Sequence, residues 1–218
     1  MALKDKIKIP NYTLGEEITN AVLHGIGALL SIAALVLCVV FSAIHENVYA
    51  VVSSCIYGST LIILYTMSCL YHSFKINNAK RVFRIIDHCS IFLLIAGTYT
   101  PYALVSLNGA LGWTVFGLIW GCAILGIVLN AIDLNRFKKL SMVLYIAMGW
   151  AIIFAFKTLA LNLPTGGIYL LVAGGIVYTI GAIFYGIGKK LKYMHSVFHF
   201  FVLSGSILHF FSILLYVV

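Results

Sequence analysis

The chain has 218 residues, of which 62% are hydrophobic and 9% charged, with a mean hydropathy of +1.07 and a formal net charge of +8. No soluble core of this size needs so much apolar surface, so the composition excludes a water-soluble globular domain and indicates an integral membrane protein. The positive charge does not indicate nucleic acid, because no basic soluble segment interleaved with aromatics is there to bind it.

The apolar runs are continuous over roughly 20 residues, the length of a spanning helix, whereas a barrel strand would alternate over about 10. The expected fold is all-α, a seven-transmembrane helix bundle read as one domain over residues 1–218. The N-terminal MALKDKIKIPNYTLGEEITN is charged and mixed in sign for longer than a cleavable signal peptide allows, so the first span is expected to stay as an anchor. Hydropathy and breakers place spans at about residues 19–43, 49–74, 82–106, 112–131, 142–160, 167–187 and 195–218.

Charge alternates across the connections. Lys75, Lys80 and Arg81 lie between spans two and three, Arg136, Lys138 and Lys139 between four and five, and Lys189, Lys190 and Lys192 between six and seven. The other three loops have no Lys or Arg, and Lys4, Lys6 and Lys8 precede span one. The positive-inside rule then puts the N-terminus in the cytoplasm and the C-terminus outside. That orientation is opposite to a G-protein-coupled receptor's, so seven helices do not argue for that class. Lys157, near the outer end of span five, can snorkel and is assigned no function.

Small residues such as Gly117 and Gly121, or Ala182 and Gly186, are spaced to let helices approach closely within the bundle. The five cysteines, Cys38, Cys55, Cys69, Cys89 and Cys122, are odd in number and all lie in apolar runs, so they read as small buried hydrophobes. In span three, Thr98-Tyr-Thr-Pro101 marks a kink, with threonine hydroxyls expected to re-satisfy the carbonyls that proline frees.

Ionisable side chains in lipid are expensive, so those that remain need partners. Span two ends in Ser68-Cys-Leu-Tyr-His72, span three opens with Arg84-Ile-Ile-Asp87-His88, and span seven opens with His195-Ser-Val-Phe-His199. At 1.5 Å rise per residue, His72, Asp87 and His195 lie about 5 Å from the nearest flanking cation and His199 about 10 Å, so they share one depth near the cytoplasm. His195 and His199 project from one helix face, as do Ser68 and His72. A His pair at that spacing, a third His from another helix and a nearby carboxylate form the set of a zinc centre with one open position. Cys69 and His88 are further candidates, the first as a soft ligand and the second as a residue that orients Asp87 or points elsewhere. Glu17, Asn20 and His24 recur at helical spacing in span one and could support the site from behind, carry protons or act as an interfacial cap. His45 lies in an external loop and His209 about 21 Å of helical rise beyond His195, so neither joins the cluster.

Glu16-Glu17-Ile-Thr-Asn20 with His24-Gly25, Ser68 to His72, Asp87-His88 with Ala96-Gly-Thr-Tyr-Thr-Pro101, and His195 to His199 together resemble the bacterial hemolysin III family. That family is grouped with the progestin and adipoQ receptors and, more widely, with alkaline-ceramidase-like membrane hydrolases. The resemblance covers the chain from Glu16 onward, and it implies a multi-pass protein of the bacterial inner membrane. It further implies that His72, His195 and His199 ligate zinc, that Asp87 holds or activates the zinc-bound water, and that Ser68 supports the site. The short stretch before span one departs from receptor members, which carry a cytoplasmic domain there.

Three functions are then open. The first is a zinc-dependent hydrolase of a lipid amide or ester, with membrane lipid as its partner. The second is a non-catalytic protein in which zinc staples the helices, with a lytic or receptor-like role. The third is a proton-coupled transporter, disfavoured because the polar residues gather at one side instead of the bilayer midplane.

Overall fold

The computed structural model describes residues 7–45, 47–187 and 191–218. Lys4, Lys6, Lys189 and Lys190, on which the sidedness argument partly rests, lie outside the described residues. Among the described residues the chain is helical, with six helical stretches long and apolar enough to cross a membrane. The chain is therefore a multi-pass membrane protein.

Helix α1 spans Leu14–Ile44. It starts in a capping box: the Thr13 hydroxyl accepts the Glu16 N–H, while the Glu16 carboxylate accepts the Thr13 N–H at 2.8 Å. Its buried face is Asn20, His24, Gly27, Ser31, Ala34 and Cys38, while Ile18, Val22, Ile26 and Val36 are exposed. Small and polar residues inside, branched aliphatics outside, is the pattern set by a hydrocarbon solvent: lipid takes the aliphatic side chains as readily as a protein core does, and packing selects what is small.

Helix α2 spans Val48–Ser73 and α3 spans Asn78–Pro101. The α3 stretch is the central one, with 78% of its most apolar window buried against 22–50% for the others. Close approach of helices is made by glycines that meet a neighbour: a Cβ on Gly27 would strike the Tyr65 ring, on Gly58 the Leu35 side chain, on Gly97 Thr60 and on Gly126 Phe92. The glycines singled out by spacing do not do this. A Cβ on Gly117, Gly121 or Gly186 meets nothing within 4 Å, because each of those positions faces open space. Cys55 is likewise exposed, not a core hydrophobe.

After Pro101 the backbone passes into a π-helical turn over Tyr102–Leu107. The Thr98 and Thr100 hydroxyls donate to the Leu94 and Ala96 carbonyls, each at 2.8 Å, and not to the Gly97 carbonyl that proline leaves free. They satisfy the turn before the break, because a threonine hydroxyl reaches back to the carbonyl four residues earlier. Asn108 and Gly109, at φ of +43° and +52°, then turn the chain in the left-handed region that Asn and Gly tolerate best.

Helix α4 spans Gly109–Trp150 and continues through a 3-10 turn, Ala151–Ala155, into α5, Phe156–Asn162. A straight run of that length would measure about 80 Å, far beyond a bilayer core of about 30 Å. It is not straight: Asp133 is extended at φ −158° and ψ 94°, and its carboxylate caps the N–H of Arg136. The Ser141 hydroxyl reaches the Asn130 side chain at 2.6 Å, although 11 residues along one helix would separate them by about 16 Å. The chain therefore folds back at Asp133. Helices α6, Thr165–Ile187, and α7, Met194–Tyr216, complete the bundle.

Candidate metal centre

The ends of α1, α2, α3 and α7 meet at one end of the bundle. His72 comes from the last turn of α2, while His195 and His199 come from consecutive turns of α7. One nitrogen from each of the three lies within 4.8 Å of the others, and the Nε2 atoms of His195 and His199 are 3.1 Å apart. A tetrahedral zinc with Zn–N of about 2.0–2.1 Å places its ligand nitrogens roughly 3.3 Å apart, so the pair is already near that spacing.

The surrounding hydrogen bonds select which nitrogen of His72 is available. Its Nδ1 lies 2.6 Å from Glu17 Oε2 and 3.4 Å from Asn20 Nδ2, so Nδ1–H donates to the carboxylate and the lone pair sits on Nε2. Among the described residues that Nε2, which is buried, has no partner. An unpaired buried acceptor costs about 1–3 kcal/mol, and a cation shared with His195 and His199 removes the deficit. The carboxylate–histidine arrangement is also the one that fixes a metal-ligating imidazole in orientation. The donor set fits zinc.

Glu17 is itself held by a buried lysine. Lys80 Nζ donates to Glu17 Oε1 at 2.7 Å and to the Phe74 carbonyl at 3.0 Å, with its ammonium 5.0 Å from the Tyr71 ring. The Ser196 hydroxyl donates to Asn20 Oδ1 at 2.6 Å, tying α7 to α1 beside the cluster. The His24 ring stacks on His199 with centroids 3.7 Å apart, and both its nitrogens are buried without partners. From the N-terminal segment, Tyr12 stacks on His195 at 5.0 Å, and Arg84 donates to the Lys8 carbonyl. Burial, the largest influence on it, raises the pKa of the Tyr12 hydroxyl, which therefore stays protonated.

Asp87 and Ser68 line the same cavity as His195 and His199. His88 also lines the cavity, and its backbone carbonyl accepts the Tyr145 hydroxyl at 2.7 Å. Cys69 lies outside the histidine group; its Sγ faces Gly25 on α1. The cavity, of about 970 Å³, extends from this cluster into the bundle and reaches His209. His45 caps the end of α1 and is exposed.

Sequence reasoning missed three contributors. Lys80 reads as a topology-setting charge like Arg81, and nothing in its spacing distinguishes the buried cation from its neighbour. Ser196 had a signal, since it follows His195 by one residue on a helix whose neighbours are histidines. Tyr12 had none, because it precedes the first periodic residue.

Residues 12–210 match the model of a family described as haemolysin-III related. The chain is 48% identical over 202 residues to Hemolysin-3 of Bacillus cereus, covering 93% of this chain and 92% of that protein. It is 45% identical over 207 residues to the Hemolysin-3 homolog of Bacillus subtilis, covering 95% and 97%. A more distant similarity, 25% over 206 residues, is to the human monocyte to macrophage differentiation factor, covering 92% and 84%. With a family match over nearly its whole length and relatives at this identity, the chain belongs to the haemolysin-III related family of membrane proteins.

Proposed function

We propose that the protein is a zinc-dependent hydrolase of a long-chain lipid amide or ester, working in the inner membrane of a bacterium near the cytoplasmic leaflet. In this reading the fold-back at Asp133 separates two crossings, giving seven, with the N-terminus cytoplasmic and the C-terminus outside. The observation that carries the reading is the convergence of three imidazoles, one with an unpaired buried Nε2, at one end of a largely apolar cavity that also holds Asp87 and Ser68.

Zinc, when bound, would supply Lewis acidity at this end of the cavity, the chemistry that polarises a carbonyl and makes water a better nucleophile near neutral pH. His72, His195 and His199 would hold it, and Glu17 keeps His72 in the tautomer that leaves Nε2 free. Asp87 accepts a proton from the attacking water and returns it to the leaving amine or alcohol. The Ser68 hydroxyl donates to the oxygen on which negative charge develops. The apolar walls keep the acyl chain in a hydrocarbon-like medium while its scissile bond sits at the polar end.

The test is fatty-acid release from a panel of lipid amides and esters by purified protein of known zinc content, in bilayer discs. Release is expected from wild type and not from His199→Ala. Turnover that is absent in wild type, or independent of zinc and His199, sinks the reading.

A second reading has its own observation. The bonds around the cluster join four helices: Glu17 and Asn20 on α1, His72 on α2, Lys80 on α3 and Ser196 on α7. Zinc could therefore act as a staple in a non-catalytic protein with a lytic or receptor-like role. That reading expects Asp87→Asn to leave both zinc content and membrane effects intact.

A further inference from the structure

The cavity does not end in a uniformly apolar tip. His209 lies on α7 ten residues beyond His199, about 15 Å along the helix, and it lines the same cavity. It is 8% exposed, and among the described residues neither of its ring nitrogens has a hydrogen-bond partner. Beside it is a small notch of about 30 Å³, whose walls include Thr98, Tyr99, Tyr102, Gly149 and His209. All of these except Tyr102 also border the main cavity, so the notch adjoins it.

The other polar groups nearby are spoken for. The Thr98 hydroxyl donates to the Leu94 carbonyl, and the Tyr99 hydroxyl donates to the Gly149 carbonyl and accepts the Ile152 N–H. The Tyr178 and Ser206 hydroxyls bond to each other at 2.7 Å. The Tyr102 hydroxyl has Ser212 as its neighbour, whose hydroxyl donates to the Gly167 carbonyl and keeps its lone pairs free to accept from the phenol. His209 is thus the unpaired, buried polar group beside a space the size of one oxygen-bearing group, with the Tyr102 ring on its wall. A neutral imidazole offers one donor and one acceptor, and a phenol offers the same.

We infer that this notch is an oxygen-recognition subsite, taking a neutral hydroxyl or oxo group carried on the hydrocarbon part of an amphiphile whose polar head sits at the histidine cluster. A charged group is excluded, since no counter-ion lines the notch and an unpaired charge at this depth is costly. A saturated unsubstituted chain would leave His209 unpaired, at a penalty comparable to a lost hydrogen bond. The competing occupant is an ordered water, which the notch has room and polar partners to hold. The subsite selects among ligands by what their chains carry, and it rests on reading the cavity as a lipid site.

Calorimetric titration of zinc-loaded protein in bilayer discs, with stearic acid and with a hydroxystearic acid bearing its hydroxyl in the outer half of the chain, separates these cases. Wild type is expected to bind the hydroxylated acid about tenfold more tightly, the factor that one well-made hydrogen bond supplies. In His209→Leu the ratio is expected to fall to about one with zinc content unchanged, and in His209→Gln, which keeps a donor and an acceptor, to be partly retained. Equal affinities in wild type, or a preference that survives His209→Leu, overturn the inference and leave the notch to water. Binding of both acids without discrimination spares the lipid reading of the cavity, whereas binding of neither sinks that reading and the subsite together.

Discussion

His199 and His209 stand on one helix, line one cavity and are both buried, yet their surroundings differ in kind. Around His199 there are three more imidazoles, and behind them Glu17, Asn20, Lys80 and Ser196 form a chain of hydrogen bonds that fixes the tautomer of His72. Around His209 there are aromatic and apolar walls and no partner for either nitrogen. The comparison teaches that histidine burial alone does not define a metal centre. What does is several nitrogens converging, together with an outer ring of polar groups that decides which lone pair faces inward.

The largest expected effect lies at the first region. His72→Ala removes one of three donors and leaves Glu17 and Lys80 around an empty space, so zinc content measured by atomic emission is expected to drop from about one per chain to near none. Equal zinc in wild type and His72→Ala would refute the site as drawn, while the same measurement on His209→Ala is expected to show no change. If His209→Ala also lost zinc, the two regions would not be independent.

Asp87→Asn should retain zinc, because the three histidines are untouched, while lipid hydrolysis falls about 10²- to 10⁴-fold, the range for loss of a general acid–base group. Retained zinc with unchanged turnover would remove Asp87 from the chemistry. Glu17→Gln is milder: the amide can still accept from His72 Nδ1, but Lys80 loses its counter-charge. Zinc affinity by competition with a chelator is expected to weaken about 10- to 100-fold, as for other groups that orient a ligating histidine. No weakening would mean that the outer ring is structural only.

Much of the first region was legible in the sequence because its signal is local. The four-residue spacing of His195 and His199, the Ser68–His72 pair and the recurrence of Glu17, Asn20 and His24 follow from helix periodicity alone. Charge alternation placed these ends at one side. The second region was not legible, since His209 is a single polar residue in an apolar run, and only the three-dimensional path of the cavity connects it to His199. Glycine roles failed for a related reason. Spacing identifies faces on which helices can approach, but Gly117 and Gly121 face open space while Gly97 and Gly126, which lack that spacing, receive Thr60 and Phe92. The fold-back at Asp133 was expected as a loop between spans; the structure makes it with one extended residue inside otherwise continuous helix.

The smallest expected effect probes the second region without touching the first. Gly174, on α6, sits against the His209 ring, so a Cβ there would strike Cδ2 and Nε2. Gly174→Ala must push the imidazole from its place in a packed wall, a cost typical of overpacking, about 1–3 kcal/mol of stability. Zinc content should be unchanged, because the push falls about 15 Å of helix away from His199. Gly117→Ala is the control, since its Cβ meets nothing within 4 Å and the exchange of Gly for Ala in a helix is favourable by up to about 1 kcal/mol. Thermal unfolding in bilayer discs compares the two: a lowered midpoint for Gly174→Ala alone, with full zinc, supports a second region that is rigid and separate. A loss of zinc in Gly174→Ala would show instead that α7 transmits displacement from one histidine to the other, and that the two ends of the cavity behave as one site.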